Sequence, residues 1–193
     1  MARIEPSDAF AGIPMVDLGQ GDRINLGVAG IMSRLPEVAA AVGGVTAAVR
    51  ETGGLPPRLM ELVRLRIAFH NQCRSCMSVR YQSAIDDGLT EDAVCSLERP
   101  ADAPDLTGAE RTALKFADLF ATNHLAIDES IYDELRRYLT EDELIELGMH
   151  CAVSLGVGRL TATWDVTDDV PEAFRSGDAR ITPWASTGVI ASG

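Results

Sequence analysis

The chain has 193 residues, and 17 Lys and Arg against 29 Asp and Glu give it a formal net charge of −12. This length suits one domain of ordinary size, whose core needs neither disulfides nor a structural metal to fold. The charge disfavours phosphate backbones and anionic membrane surfaces, so we expect neither nucleic acid nor membrane as a partner. Four cysteines are too few for a small disulfide-rich secreted scaffold. Together with an N-terminus that lacks a secretory pattern, they predict a soluble, cytoplasmic protein.

The first part of the chain changes character at Pro36. Residues 1–34 are rich in glycine and proline, which predicts an irregular N-terminal arm. Apolar residues at helical spacing then predict a helix from Pro36 to about Val49. A second, mostly apolar helix from Pro57 to about His70 should be largely buried. Cys73 to Asp87 is predicted as one further helix, ended by a glycine.

The second half carries clearer helix boundaries. Two capping boxes, Thr107 with Glu110 and Thr140 with Glu143, predict helix starts, and the second helix can extend to about Trp164. Residues 98–105 are predicted as a surface linker.

The fold class predicted from these elements is all-α. No segment outside the N-terminal arm shows the sustained alternation typical of strands. We expect a single domain over residues 1–193, with a core of about 35–168 and an irregular C-terminal tail over 169–193. Trp184 indicates that this tail docks somewhere on the protein.

The strongest chemical signal is the pair Cys73 and Cys76, separated by Arg74 and Ser75. Two thiols three residues apart at a helix start can form an easily reduced disulfide, and the helix N-terminus favours the thiolate, which is the reactive form of cysteine. Simple helix geometry favours Cys73 as the more exposed, lower-pKa thiol. Five arginines and one acidic residue, Glu61, lie between positions 58 and 80, which predicts a locally positive segment around the thiols.

Glu61 lies on the very apolar helix, where a buried carboxylate needs a partner. If the chain reverses near His70, Glu61 and Arg80 become level, with Cys76 one turn before Arg80. This predicts a row of carboxylate, arginine and thiol. The alternative is that Glu61 pairs with Arg64 on an exposed strip.

Other interpretations of these residues stay open. Zinc would need two more ligands, which the sequence offers only as separated histidines and cysteines. His70 could act as a base, although a histidine at a helix end more often caps carbonyl groups. We expect Cys95 and Cys151 to be small core residues and His150 to be a core or boundary residue. Gly156 and Gly158 suggest close approach of another element.

The run from Glu61 to Cys76 resembles the AhpD-like alkylhydroperoxidase branch of the carboxymuconolactone decarboxylase family, in which a glutamate stands twelve residues before a C-x-x-C pair. The likeness extends over about residues 35–168. It implies a helical bundle, a homo-oligomer (trimer, dimer or hexamer), and reduction of peroxides by the cysteine pair with electrons from a dithiol such as dihydrolipoamide or a lipoyl protein. The Cys76 thiolate would then attack a peroxide oxygen and Cys73 would resolve the sulfenic acid, with no bound cofactor or metal.

The chain departs from that pattern at Arg80. The family places a histidine there, four residues after the second cysteine, as a proton relay. Arginine stays protonated and cannot relay a proton, so Arg80 can act only electrostatically, with Glu61 holding its guanidinium. The candidate catalytic residues are therefore Cys73, Cys76, Glu61, Arg80 and His70.

Three functions remain as hypotheses. The first is a thiol-dependent peroxidase or disulfide oxidoreductase with an antioxidant role. The second is a decarboxylase or other lyase of the carboxymuconolactone type, which would not need the cysteine pair. The third is a non-enzymatic, redox-responsive assembly module.

Overall fold

The computed structural model describes residues 2–51, 53–175, 180–184 and 186–192. Within these ranges the regular secondary structure is helical apart from one two-stranded ribbon, which confirms the all-α class. No helix in this described part combines the length and the apolarity needed to span a bilayer. The helices are α1 Gln20–Met32, α2 Pro36–Glu51, α3 Pro57–Asn71, α4 Arg74–Ser78, α5 Gln82–Asp86, α6 Glu91–Cys95, α7 Gly108–Thr122, α8 Glu129–Leu135, α9 Glu141–Trp164 and α10 Glu172–Arg175; the strands are β1 Val79–Tyr81 and β2 Val189–Ala191.

The centre of the fold is α3, which packs against α7 and α9. Pro57 starts it at a position where a missing N–H costs nothing, and Gln72 ends it in the left-handed region with φ of 52°. Most of its side chains are buried, as predicted for this apolar helix. The buried members include Leu59, Leu62, Val63, Leu65 and Ile67.

Side-chain caps set the starts of the later helices. Both predicted capping boxes are present, at Thr107 with Glu110 for α7 and at Thr140 with Glu143 for α9. Each threonine accepts a backbone N–H while the glutamate accepts the N–H of the threonine, so two exposed donors are satisfied at each helix start. The long helix ends at Trp164, as predicted.

The segment after the cysteine pair is not one helix, and the prediction of a helix from Cys73 to Asp87 is wrong. The chain forms the short helices α4 and α5 with β1 between them. β1 pairs in parallel with β2, so that Arg80 lies opposite Ile190. Local periodicity cannot reveal this pairing, because the partner strand comes from the far end of the chain.

The prediction of an irregular N-terminal arm is also wrong over α1. This helix packs against β2. The glycines that suggested breaks are used for close packing instead: a Cβ on Gly21 would overlap the backbone of Ile190 and Ala191. Gly21 therefore lets α1 lie directly on the strand.

We predict that Gly21→Ala lowers the free energy of unfolding by about 1–3 kcal/mol, because the added methyl group forces helix and strand apart. The control is Gly43→Ala in α2, where a Cβ would meet nothing within 4 Å. That change should raise stability by about 0.5–1 kcal/mol through helix propensity. Urea unfolding followed by circular dichroism measures both, and equal stability of the two variants would contradict the prediction.

Candidate functional site

Cys73 and Cys76 form a disulfide at the start of α4. Cys73 is the N-cap residue, and its Sγ accepts the backbone N–H of Cys76 at 3.3 Å. Cys73 is 0% exposed, whereas Cys76 is partly exposed. The expectation that Cys73 is the more exposed of the two cysteines is therefore wrong.

Two arginines bind the carbonyl groups that follow Cys76. Arg64 donates to the carbonyl oxygens of Cys76 at 2.7 Å and Val79 at 2.8 Å. Arg80 donates to those of Met77 at 2.8 Å and Val79 at 3.1 Å. Because α4 is only five residues long, these carbonyls cannot all be satisfied within the helix. The two guanidinium groups hold the backbone at the point where the helix becomes a strand.

Each arginine is paired with a carboxylate. Glu61 accepts two hydrogen bonds from Arg64, at 2.6 and 2.7 Å, and Glu91 accepts two from Arg80, at 3.1 and 3.3 Å. Glu61 is 3% exposed and also accepts the backbone N–H of Tyr81 at 3.2 Å. The chain reversal thus brings Glu61 level with Tyr81, one residue past the predicted position. The predicted Glu61–Arg80 pairing is wrong, and the partner is Arg64, in a buried rather than an exposed pair.

The electrostatics favour a charged Glu61. Burial raises the pKa of this carboxyl group, but the charge and hydrogen bonds of Arg64, the Tyr81 N–H and the nearby Arg80 outweigh it and hold the pKa below its usual value. Glu61 is therefore a carboxylate at neutral pH. Its role in this geometry is to hold Arg64, which in turn binds the Cys76 carbonyl.

His70 belongs to a different cluster. Its Nε2 lies 2.7 Å from Oδ1 of Asp118 on α7, and Arg66 binds the same carboxylate at 2.6 and 3.1 Å. Burial raises the pKa of Asp118. The hydrogen bonds from His70 and Arg66 and the charge of Arg66 lower it by more, so the pKa lies below its usual value. The structure thus joins Cys76 to Glu61 through Arg64, while His70 ties α3 to α7.

The predicted positive segment around the thiols is neutralised by acidic residues, most of them from other elements. Four of its arginines form ion pairs, and three of these pairs join different elements of the fold. The pairs are Arg58–Glu110, Arg64–Glu61, Arg66–Asp118 and Arg80–Glu91.

Helix α9 crosses close to the Cys76 sulfur at Gly158. A Cβ there would lie 4.0 Å from Cys76 Sγ and 2.8 Å from Nδ2 of Asn71. Asn71 in turn donates to the Ser154 carbonyl at 3.0 Å, which fixes α3 against α9. The predicted close approach is correct for Gly158, whereas Gly156 faces open space. Sequence analysis missed Asn71, because nothing local shows that it contacts α9.

A cavity of about 140 Å³ lies beside Glu61 and Arg64. The Arg50 guanidinium stacks over the Tyr81 ring, 4.1 Å from its centroid. His150 donates from Nε2 to the Met60 carbonyl at 2.8 Å. No cysteine contributes to the wall. The lining residues are Thr46, Val49, Arg50, Leu55, Pro57, Met60, Glu61, Arg64, Tyr81, Ser83, Ala84, His150, Val153 and Ser154.

The remaining thiols differ in exposure. Cys151 is buried, as expected, and burial raises its pKa to about 12, so it stays a thiol. Cys95 is exposed, which contradicts its prediction as a core residue. Among the residues that the structure describes, no group of three or more His, Cys, Asp or Glu side chains is arranged to hold a metal ion.

Comparison with known proteins gives matches to both sequence and fold. Residues 36–119 match the model of the carboxymuconolactone decarboxylase family. An uncharacterised protein of Mycobacterium tuberculosis, found in two strains, is 37% identical over 111 residues. The match covers 56% of this chain and 38% of the relative, so the chain spans well under half the length of the curated relatives it matches.

Two solved structures share the fold. The debrominase Bmp8, as a cysteine-to-alanine variant with 2,3,4-tribromopyrrole, superposes with a TM-score of 0.69 and 21% identity over 90% of this chain and 94% of its own. A protein of unknown function from Agrobacterium tumefaciens, whose name suggests an AhpD antioxidant defence protein, gives 0.60 and 21% over 69% and 92%. At this identity the likeness establishes the fold alone.

We predict that His150 makes stability depend on pH. Burial lowers its pKa from 6.5 to about 4, although the Met60 hydrogen bond opposes this. Between these values the unfolded chain binds a proton that the folded chain does not, so the free energy of unfolding falls as the pH drops. At about pH 5 the free energy of unfolding of the wild type should be roughly 2 kcal/mol lower than at neutral pH because of His150, and His150→Gln should not show this loss. Urea unfolding at about pH 7.5 and about pH 5 measures this, with the exposed His124→Gln as control. Parallel losses in all three proteins would contradict the prediction.

Proposed function

We propose that this chain, whose residues 36–119 match the model of the carboxymuconolactone decarboxylase family, is a thiol-dependent peroxidase that uses the Cys73–Cys76 pair. The observation that carries the proposal is the unequal exposure of the two cysteine residues, with Cys73 buried and Cys76 partly exposed. A peroxidatic sulfur must meet the peroxide, while a resolving sulfur needs only to reach its neighbour.

The proposed cycle starts with the reduced pair. The Cys76 thiolate attacks one peroxide oxygen, the O–O bond breaks, and the alcohol leaves after taking up a proton, which produces a sulfenic acid. The Cys73 thiol then attacks the Cys76 sulfur, and water leaves as the disulfide forms. An external dithiol of the dihydrolipoamide type reduces the disulfide and is itself oxidised to a disulfide.

The residues around Cys76 support this assignment through position. Arg64 binds the Cys76 carbonyl and is held by Glu61. We assign Glu61 a positioning role, because its lowered pKa keeps it ionised and unsuited to take a proton at neutral pH. Arg80 likewise binds backbone carbonyls and Glu91 rather than relaying a proton. His70, bound to Asp118, is left outside this route.

We predict that Cys76→Ser lowers peroxidase turnover by at least about 100-fold, because the attacking atom is removed. Cys73→Ser should still react once with peroxide and accumulate a sulfenic acid, which dimedone labelling and mass spectrometry detect. The control is Cys95→Ser, which removes an exposed thiol outside the pair and should keep full activity.

The outcomes separate the hypotheses. Turnover that survives in Cys76→Ser would contradict the peroxidatic assignment. Wild-type protein that turns over no organic peroxide with dihydrolipoamide, yet forms the disulfide reversibly, would favour the redox-responsive assembly module instead.

A second candidate is a lyase or other enzyme acting on a small organic acid. The cavity beside Glu61 favours it, because it combines two guanidinium groups, a neutral histidine and a tyrosine ring with apolar walls and contains no sulfur. Because Arg64 is paired with Glu61, Arg50 is the cation of the cavity that can bind the carboxylate of a substrate.

We predict for this candidate that the double variant Cys73→Ser, Cys76→Ser retains activity on the acid. Arg50→Gln should raise the KM about tenfold or more, since a hydrogen bond to a charged group is lost. Arg137→Gln, an exposed arginine outside the cavity, is the control. Steady-state assays with muconolactone-type acids measure both effects, and loss of activity in the double cysteine variant would rule this candidate out.

A further inference from the structure

The C-terminal tail, whose described residues are 169–175, 180–184 and 186–192, binds the chain on both sides of the disulfide. Before the pair, the Gln72 side chain donates to the Ile181 carbonyl at 3.0 Å and accepts the Ile181 N–H at 3.0 Å. Inside the pair, Arg74 donates to the Arg175 carbonyl at 3.1 Å. After the pair, β2 forms a parallel ladder with β1. The segment from Gln72 to Tyr81, which contains the disulfide and is called the redox loop below, therefore contacts the tail at three places.

Arg80 is the buried anchor of this contact. It is 2% exposed, and besides the carbonyls after Cys76 it donates to the Pro183 carbonyl at 2.8 Å. Gly188 lies against the same guanidinium: a Cβ there would come within 2.7 Å of Arg80 Cζ. Because the guanidinium is buried and hydrogen-bonded to both loop and tail, it cannot move aside without breaking those bonds.

The far end of the tail is fixed to a different element. Asp22 on α1 accepts the Ser192 backbone N–H at 2.8 Å and its hydroxyl at 2.8 Å. This contact includes no residue of the redox loop. It offers a way to weaken tail docking without touching the cysteines or their neighbours.

Reduction of the disulfide must disturb these contacts. When the S–S bond breaks, two sulfur atoms change from bonded to non-bonded neighbours and must separate. Cys73 is buried in close-packed surroundings, so the adjustment falls on Cys76 and the segment up to Tyr81. That segment is the one that Arg80 and β1 fasten to the tail.

We propose that docking of the C-terminal tail and formation of the Cys73–Cys76 disulfide are thermodynamically coupled, with Arg80 as the positioning residue between them. The docked tail stabilises the disulfide relative to the dithiol, and by reciprocity reduction loosens the tail. This adds a conformational response to the proposed peroxidase cycle. It is tested without peroxide, so its failure leaves the proposed function standing.

The test measures the redox equilibrium of the full chain. Wild type and variants are equilibrated with mixtures of dithiothreitol and its cyclic disulfide, thiols are alkylated, and the two forms are counted by mass. In this exchange dithiothreitol supplies two electrons and two protons, and its own sulfurs join as the protein disulfide opens. The variants are Gly188→Ala, which displaces Arg80 from the tail, and Asp22→Ala, which frees the far end. The control is Gly156→Ala, where the added methyl group meets nothing within 4 Å.

Each tail variant should shift the equilibrium toward the dithiol by about tenfold, which is about 30 mV for a two-electron couple. The equilibrium constant of Gly156→Ala should stay within about twofold of wild type, because this substitution adds no contact with the tail or the disulfide. If Gly188→Ala fails to fold, Asp22→Ala decides alone. Equilibria of folded tail variants within twofold of wild type would overturn the proposal.

Hydrogen exchange gives the reciprocal measurement on the wild type. Reduction should speed exchange of the β2 amides by about tenfold while leaving those of α7 unchanged. Equal protection of β2 in both redox states would overturn the proposal independently of any substitution.

Discussion

The rest of the site depends on two arginines, the buried Arg80 and the partly buried Arg64, that bind the backbone at and just after Cys76. Arg64 and Arg80 together bind the carbonyls of Cys76, Met77 and Val79. Without them a five-residue helix could not end inside the protein, because its carbonyls would lack donors. A buried guanidinium also needs a counter-charge, and removing one partner of a buried pair commonly costs about 3–5 kcal/mol. Glu61 and Glu91 are those counter-charges, so the position of Cys76 rests on two ion pairs.

This arrangement gives Arg80 a structural role at the position where the AhpD-like pattern that the sequence resembles has a histidine. A histidine at this position could relay a proton from the thiol. Arginine instead takes a structural position, in which its donors bind two carbonyls of the redox segment, one of the tail, and Glu91. The tail, β2 and Gly188 are arranged around that guanidinium. The arginine at position 80 and the docking of the tail therefore depend on each other.

Much of the fold and part of the site can be predicted from local sequence. The burial of α3, the two capping boxes and the long helix α9 follow from apolar spacing and cap residues, which act within a few positions of one another. The cysteine pair is visible for the same reason. Sequence analysis also places Glu61 within one residue of its true level on the hairpin, because a chain reversal has simple geometry. It assigns the wrong partner, since Arg64 and Arg80 are both within reach and only packing chooses between them.

The sequence by itself determined the helical class, the boundaries of the capped helices and the presence of a closely spaced cysteine pair, because each depends on neighbouring residues. Only the tertiary structure decided which cysteine is partly exposed, which carboxylate neutralises each arginine and that Val79–Tyr81 forms a strand. Those features depend on elements far apart in the chain. The N-terminal glycines also depend on distant elements. Gly21 lies in α1, where the absence of a side chain lets β2 pack directly against the helix.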